Sequence, residues 1–557
     1  MESSKERIQF KKPTIITTVI CFAVILAFWF IPPAPPMTVI GMRVLGVFIG
    51  TILLLSLVDT VWPAVLAIVL LSRTGVTSLN GAIGGTMGSW IVFFVLMSFV
   101  MTHALNESGF TDRLVARFMS MRLVSKSPWT FTVAMAVIGL ILASFIDQIP
   151  ATAFMLMFSR RVYQELGYTE QDAYPHVANI MVVYGVIIGG LMTPISHSLA
   201  ILGMAIYEGA TGVPISLFTY LVVGVPTGLV LFVALTLIMR FAAHPDMSRF
   251  KDFDVQKVLA HRGPMQVKEL ITVIVFFGTV IMWMLPGVAG MFTDAPWVGT
   301  INSYGITFWA ICAVVVMSII STNEKPIIDL KDIVNHHVNW GILIFISIGV
   351  FLGSAMANDA TGIPVFITEK ITPVLDRVSP LVVVLIITMV SVFLTNFASN
   401  VLTITVMTTV GVSIGLASGG RINPAAIALC TSMAGAAAYL LPSSFGCIAM
   451  LHGDEYSNSK KVYLYGLIMC IVSPVIIGLI GYNLACAVLL AVHCGEDSLH
   501  LVAYGSSMLL ADFCRGEFSR SKAYGQVQHT VFNGARFIIY GDVSCRRKRQ
   551  RPFCSAL

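Results

Sequence analysis

Asp147, Gln148 and Pro150 stand within four positions of one another in SFIDQIPATA (144–153), between the apolar stretches TFTVAMAVIGLILA and FMLMF. An acid in such a place can bind a cation, carry a proton, or cap a helix. Three more polar breaks interrupt apolar runs. They are Thr193-Pro194-Ile195-Ser196-His197, then Ser399-Asn400-Val401 followed by Thr403, then Pro442-Ser443-Ser444-Phe445-Gly446. Proline removes a backbone donor and disturbs the preceding turn. The hydroxyls and amides beside it supply neutral donors and acceptors. Helix N-termini exposed at a break favour anions, and unwound carbonyls suit Na⁺ or another hard cation.

Such breaks need a scaffold, and the composition says which kind. The chain of 557 residues is 57% hydrophobic and 11% charged, too apolar to cover a soluble surface. Apolar runs near membrane-spanning length occur at 13–31, 38–58, 61–77, 83–105, 174–205, 218–240, 268–287, 303–321, 334–356, 423–451 and 462–490. Two further stretches, 128–165 and 380–418, are interrupted near the middle. In hydrocarbon every backbone N–H and C=O needs an internal partner, so a break is tolerated only beside protein or a polar cavity. The expected architecture is an all-α polytopic membrane protein with about eleven crossings, and 128–165 and 380–418 enter and return as re-entrant hairpins.

Charge placement supports that count. With the N-terminus cytoplasmic, one side collects Arg113, Arg117, Arg122, Lys126, Arg160, Arg161, the 240–268 loop, Lys325, Lys331, Lys460 and Lys461. The other side holds Arg43, Arg73, Lys370, Arg377 and Arg421, as the positive-inside rule requires. The expected location is the plasma membrane, or the inner membrane of a bacterium. No cleavable signal peptide is evident, because PPAPP and not a small-residue site follows the first run. Ten cysteines show no metal spacing, so those in apolar runs read as small buried hydrophobes. No HExxH, Walker A or GxGxxG element sits at a strand–helix junction. Nothing points to an enzyme, a cofactor, a transition-metal site or a nucleic-acid partner.

The chain repeats itself. SWIVFFVLMSFVMTHALNESGF (89–110) resembles NWGILIFISIGVFLGSAMANDATGI (339–363), pairing Trp90 with Trp340 and Gly109 with Gly362. SFIDQIP faces NFASNVL, with Phe145 opposite Phe397, and LMTPISHSLAILG (191–203) faces YLLPSSFGCIAMLHG (439–453). The offset stays near about 250 residues throughout. Five crossings per half, an odd number, turn the second half upside down relative to the first. Inverted repeats with broken helices are the plan of secondary transporters, with the site at the repeat interface. The expected divisions are a cytoplasmic N-terminus with the first helix (1–37), a first repeat (38–240), a cytoplasmic linker (241–267), a second repeat (268–490) and a polar tail (491–557) without assigned role.

TNFASNVLTITV (395–406), GGLMTPISHSLAILG (189–203) and SLFTYLVVGVPTGLVL (216–231) resemble segments of the divalent anion:sodium symporters, the dicarboxylate and sulfate carriers of the ion transporter superfamily. The resemblance covers roughly 13–490. It implies two Na⁺ sites, one per hairpin tip, with substrate carboxylates held between the tips, and elevator-type movement in a homodimer. It implies that Ser399 and Asn400 contact substrate, while Thr395, Ala398 and Asn400 line the second Na⁺ site. Where the family has Ser-Asn-Thr in its first hairpin, this chain has Asp-Gln-Ile. Alignment on Phe145 puts Asp147 at the serine, and alignment on Thr152 shifts the motif to Gln148-Ile149-Pro150. Val401 replaces the second motif's threonine, and Thr193-Pro194-Ile195-Ser196 replaces Thr-Pro-Pro-Asn.

A carboxylate at the bilayer centre costs roughly 2.5–3.5 kcal/mol on insertion scales. About 4 Å from a substrate carboxylate it adds repulsion of the order of 4 kcal/mol at an effective dielectric of 20. Asp147 therefore binds a cation, carries a coupling proton, meets a positive group on the substrate, or only caps a helix. His197 is a core histidine or, beside a broken helix, a site residue. The functional expectation is a secondary active transporter of a small organic anion, a di- or tricarboxylate, coupled to Na⁺ or H⁺. The substrate set is Gln148, Pro150, Thr152, Thr193, Pro194, Ser196, Ser399, Asn400, Thr403, Pro442, Ser443 and Ser444. The ion-coupling set is Asp147, Gln148, Thr193, Thr395, Ala398 and Asn400. The alternatives are a Na⁺/H⁺ antiporter-like carrier with Asp147 titrating, and a carrier of sulfate or another inorganic anion.

Overall fold

The computed structural model describes residues 12–494 except 60, 122–126, 196–197, 244–263, 291, 294, 323–324 and 376. Residues 1–11, most of the 241–267 link and the tail after 494 lie outside the described residues. The first half runs α1 (Lys12–Phe30), α2 (Val39–Leu57), α3 (Trp62–Thr74), α4 (Leu79–Gly85), α5 (Trp90–Glu107), α6 (Phe110–Met119), α7 (Pro128–Phe145), α8 (Gln148–Glu165), α9 (Ala173–Met192), α10 (Ser198–Thr211) and α11 (Leu217–Ile238). The second half runs α12 (Val267–Ala289), α13 (Pro296–Ile319), α14 (Leu330–His336), α15 (Trp340–Ala357), α16 (Ile363–Leu375), α17 (Pro380–Phe397), α18 (Asn400–Ala417), α19 (Pro424–Gly435), α20 (Gly446–Gly453), α21 (Ser459–Ile476) and α22 (Tyr482–Cys494). Between α13 and α14, β1 (Ser321–Thr322) pairs antiparallel with β2 (Lys325–Pro326).

Ten helical stretches among the described residues are long and apolar enough to cross a membrane. They include both arms of the stretch 380–418 and the first arm of 128–165, and shorter apolar helices accompany them. The runs expected at 174–205 and 423–451 are each two helices, α9 with α10 and α19 with α20, separated at the polar breaks. The run at 83–105 is likewise preceded by a separate short helix, α4. Two helices outside the apolar runs, α6 and α16, follow glycines. Gly109 and Gly362 both adopt positive φ, 87° and 66°, and so turn the chain out of the preceding helical segment.

Element lengths recur between the halves. α5 and α15 each have 18 residues and begin on the paired tryptophans. α7 and α17 each have 18 residues and begin on a proline, Pro128 and Pro380, where a missing N–H costs nothing. α8 and α18 also have 18 residues each. Both α11 and α21 pass into a π-turn, at Met239–Ala243 and Ile477–Gly481.

The centre of the molecule is α9 and α19, in which every residue is buried. Glycines let their neighbours approach. A Cβ at Gly185 would stand 2.7 Å from the Ala136 carbonyl oxygen, and one at Gly189 would run into the Leu140 carbonyl. Gly185 and Gly189 are four apart, so one face of α9 lies on the backbone of α7, the small-residue packing that replaces hydrophobic drive within a bilayer. Outside this core, α12 and α13 expose apolar side chains such as Ile274 and Ile319, at 61% and 73%. A water-soluble surface would not carry them in such density, whereas a lipid-facing one does. Off the core, α6 is tied to α12 by a bidentate pair, Arg113 Nε to Glu269 Oε1 at 2.6 Å and Nη2 to Oε2 at 2.9 Å.

Candidate functional site

The first break lies between α7 and α8. Ile146 is extended (φ −118°, ψ 149°), and Asp147 is the N-cap of α8, its Oδ1 accepting from Ile149 N at 2.9 Å. The second break, between α17 and α18, has the same form. Ala398 is extended (φ −116°, ψ 178°), and Ser399 is the N-cap of α18, its Oγ accepting from Leu402 N at 3.3 Å. Asp147 and Ser399 therefore hold one position, as do Gln148 and Asn400. Of the two alignments open in the sequence, this geometry follows the one on Phe145. Pro150 does not break α8. It sits in the first turn, where backbone N–H groups have no intrahelical acceptor anyway.

Each break is fastened to the broken helix of its own half. Gln148 is fully buried, and its Nε2 donates to Ile187 O at 3.0 Å. Gly190 makes room for it, since any Cβ there would collide with the Gln148 amide. Thr193 donates to Ser144 O at 2.6 Å. In the second half Thr395 Oγ1 lies 2.8 Å from Asn400 Oδ1 and 2.5 Å from Gly435 O. Asn396, fully buried, accepts through Oδ1 from both Tyr439 N and Leu440 N at 2.7 Å. It thus satisfies two backbone donors in the unwound segment 436–445, which no helix serves. Ser144 and Asn396 hold equivalent places and were not singled out from sequence. The usable signal was an amide or hydroxyl three residues before each N-cap, inside an otherwise apolar helix.

The halves also meet crosswise. α8 packs on α20, and α10 packs on α18. Ile149 lies against Gly446, and the Thr152 hydroxyl and the Asp147 carboxylate both neighbour the Cys447 thiol. A small cleft opens beside the first break, walled by Asp147, Pro194, Ile195 and Ser198 on one side and by Ser98, Thr102 and apolar side chains of α5 on the other. The first, third and fourth breaks thus come together, and the second joins them through Asn396 and the 436–445 segment.

Several expected site residues are placed by these contacts. Pro442 and Ser443 are exposed, and Ser444 is buried, donating to Leu441 O at 2.5 Å. Ser399 is exposed and Ala398 half-buried at the second break. Ser196 and His197 lie outside the described residues. Polar atoms without a protein partner occur at the breaks: Gln148 Oε1, Asn400 Nδ2 and Thr403 Oγ1, all buried. Buried polar atoms are normally paired, so unpaired ones beside the chain breaks make these breaks the candidate site. Away from the breaks, Asp59 has a structural role in the turn into α3, its Oδ1 accepting from Val61 N at 2.7 Å. Cys21, Cys430, Cys447, Cys470 and Cys486 are buried as expected, whereas Cys312, in the apolar run at 303–321, is only half-buried because α13 lies outside the core.

Polar chain breaks gathered inside a helical membrane body define a class, the membrane transport proteins. The family follows from comparison: the chain matches the sodium:sulfate symporter transmembrane region over residues 12–490 and belongs to that family, one of transporters and not of enzymes. It is 25% identical over 416 residues to a sodium-dependent dicarboxylate transporter, SdcS, of Staphylococcus saprophyticus, covering 72% of this chain and 78% of that one. A protein of the same description from Staphylococcus aureus is 23% identical over 410 residues, covering 71% and 76%. Among solved structures it is similar in fold to the Alcanivorax borkumensis YdaH transporter, with a TM-score of 0.50 and 13% identity over 71% of this chain and 86% of that one.

Proposed function

We propose that the protein is a Na⁺-coupled secondary active transporter of small organic anions, carboxylates of the di- or tricarboxylate class. One observation carries this reading: polar chain breaks and unpartnered buried polar atoms converge in the core of a chain from the sodium:sulfate symporter family. Curated relatives described as sodium-dependent dicarboxylate transporters support the choice of ion and substrate class.

In this reading 128–165 and 380–418 are re-entrant hairpins of two inverted repeats, and the four breaks face one site near mid-membrane. The matched helix lengths and paired glycines of the halves support it. The N-termini of α8, α18, α10 and α20 carry partial positive charge that suits an anion at breaks whose own sequences hold no lysine or arginine. Ser399, Asn400 and Thr403 form the anion seat, with Ser443 and Ser444 beside it. Thr395, Ala398 and Asn400 border one Na⁺, and Thr193 with Gln148 borders the other. Here Na⁺ is cargo, held by neutral oxygens and released with the substrate. The core of α7–α10 and α17–α20 moves as a unit past the outer helices in a homodimer of the plasma membrane, with the N-terminus cytoplasmic.

The test is a proteoliposome uptake screen of dicarboxylates, tricarboxylates and sulfate, with and without a Na⁺ or proton gradient. Na⁺-driven carboxylate uptake is expected. Sulfate uptake alone, or uptake driven only by protons, would overturn the reading. Counterflow in the same vesicles separates exchange from symport.

A further inference from the structure

The two equivalent breaks differ by a full charge. At the second, the N-cap is a neutral hydroxyl, Ser399, and the next side chain leaves an amide nitrogen, Asn400 Nδ2, without a partner. At the first, the N-cap is a carboxylate. Asp147 uses Oδ1 as the cap, and among the described residues no protein donor reaches its Oδ2. The next residue leaves an acceptor unpaired as well. Gln148 spends its nitrogen on the Ile187 carbonyl, a contact that fixes the amide's orientation, and its Oε1 is buried with no donor. Asp147 lines the cleft with the hydroxyls of Ser98, Thr102 and Ser198, and no described lysine or arginine lines that cleft. The Ser98 hydroxyl donates to Phe94 O at 2.8 Å, which leaves its lone pairs free to accept. A carboxylate with one oxygen undonated, in a cleft that no described lysine or arginine lines, asks for a guest that donates.

We propose that Asp147 makes the first-break subsite a seat for a protonated amine, so that the preferred substrate is an amino-substituted carboxylate and not a plain dicarboxylate. The inference rests on the reading of the preceding section and narrows its substrate class. The carboxylate end is held at the second break by Ser399, Asn400 and the α18 N-terminus. The ammonium presents its donors to Asp147 and to the hydroxyls of Ser98, Thr102 and Ser198 that line the same cleft. A plain dicarboxylate would place its second anionic end against Asp147.

Aspartate and succinate differ by that one amino group and serve as probes. Na⁺-driven uptake of each is measured in proteoliposomes of the full chain, for the wild type, Asp147→Asn and Asp147→Ser. Asparagine and serine both cap helices, so neither variant loses the α8 start. The wild type is expected to favour aspartate in kcat/KM by at least about tenfold, and both variants to lower that ratio by about tenfold or more, with Asp147→Ser gaining succinate uptake. A wild type that prefers succinate overturns the inference while leaving Na⁺-coupled carboxylate transport standing. A ratio unchanged in both variants also overturns it, and a shifted Na⁺ half-saturation with that unchanged ratio assigns Asp147 to the ion. Uptake of neither probe by the wild type overturns this inference, and the preceding reading is then decided by its own screen, which includes tricarboxylates. Should the variants fail to reconstitute, the wild-type ratio decides alone.

Discussion

The breaks at 146–147 and 398–399 share a backbone and differ in what they hold. Each ends an 18-residue helix, extends for a residue, and caps the next 18-residue helix. Each is tied to the unwound end of a fully buried helix, α9 or α19. Yet one cap is Asp147, partly covered and facing a cleft, and the other is Ser399, exposed. The shared part is what a membrane requires of any interrupted helix, since every backbone group must be paired. The different part is free to be chosen by cargo. Architecture therefore predicts where the site is, and the side chains at equivalent positions predict what each end of it recognises.

The sharpest way to break this comparison is Asn400→Ala. Losing a buried amide in the anion seat is expected to lower uptake about 100-fold, with the protein still present in the membrane. Near-normal uptake would remove the second break from the site. Asp147→Asn should act differently, lowering the aspartate-over-succinate ratio of uptake by about tenfold while the protein folds normally. Unchanged uptake with unchanged Na⁺ and pH dependence would make Asp147 a helix cap and no more.

Stability gives two smaller contrasts. Gly189→Ala forces a methyl against the Leu140 backbone and should cost about 2 kcal/mol in unfolding. At Gly435 the first obstacle is a side-chain atom, Ile404 Cγ1, with backbone only beyond 3 Å, so Gly435→Ala should cost about half as much by the same thermal-shift measurement. Thr193→Val loses one buried hydrogen bond to Ser144 and should cost about 1 kcal/mol. Near-normal Na⁺-driven uptake by Thr193→Val would make Thr193 a support for the first break and not a border of its Na⁺ site.

Much of this was legible in the sequence, for identifiable reasons. Trp90 and Trp340 do begin matched helices, and Gly109 and Gly362 do share positive φ, because side chain and backbone needs repeat with the fold. The polar breaks were visible because apolar runs make any amide or acid conspicuous. Other parts were hidden. α6 and α16 are short and amphipathic, with no membrane-length apolar run to announce them. The anchoring of 436–445 by Asn396 depends on a contact across more than forty residues, which spacing cannot reveal. The same holds for Asp454, almost fully buried between Arg160 at 3.2 Å and Asn179 at 3.1 Å, which ties α8 and α9 of the first half to the segment after α20.

The central claim is that Na⁺ drives an organic anion through this chain. The direct measurement is uptake of labelled aspartate and succinate into proteoliposomes holding the purified protein, with external Na⁺ against an equal concentration of choline. The account predicts accumulation with Na⁺ and only passive leak with choline. Equal uptake of both probes in the two conditions would contradict it.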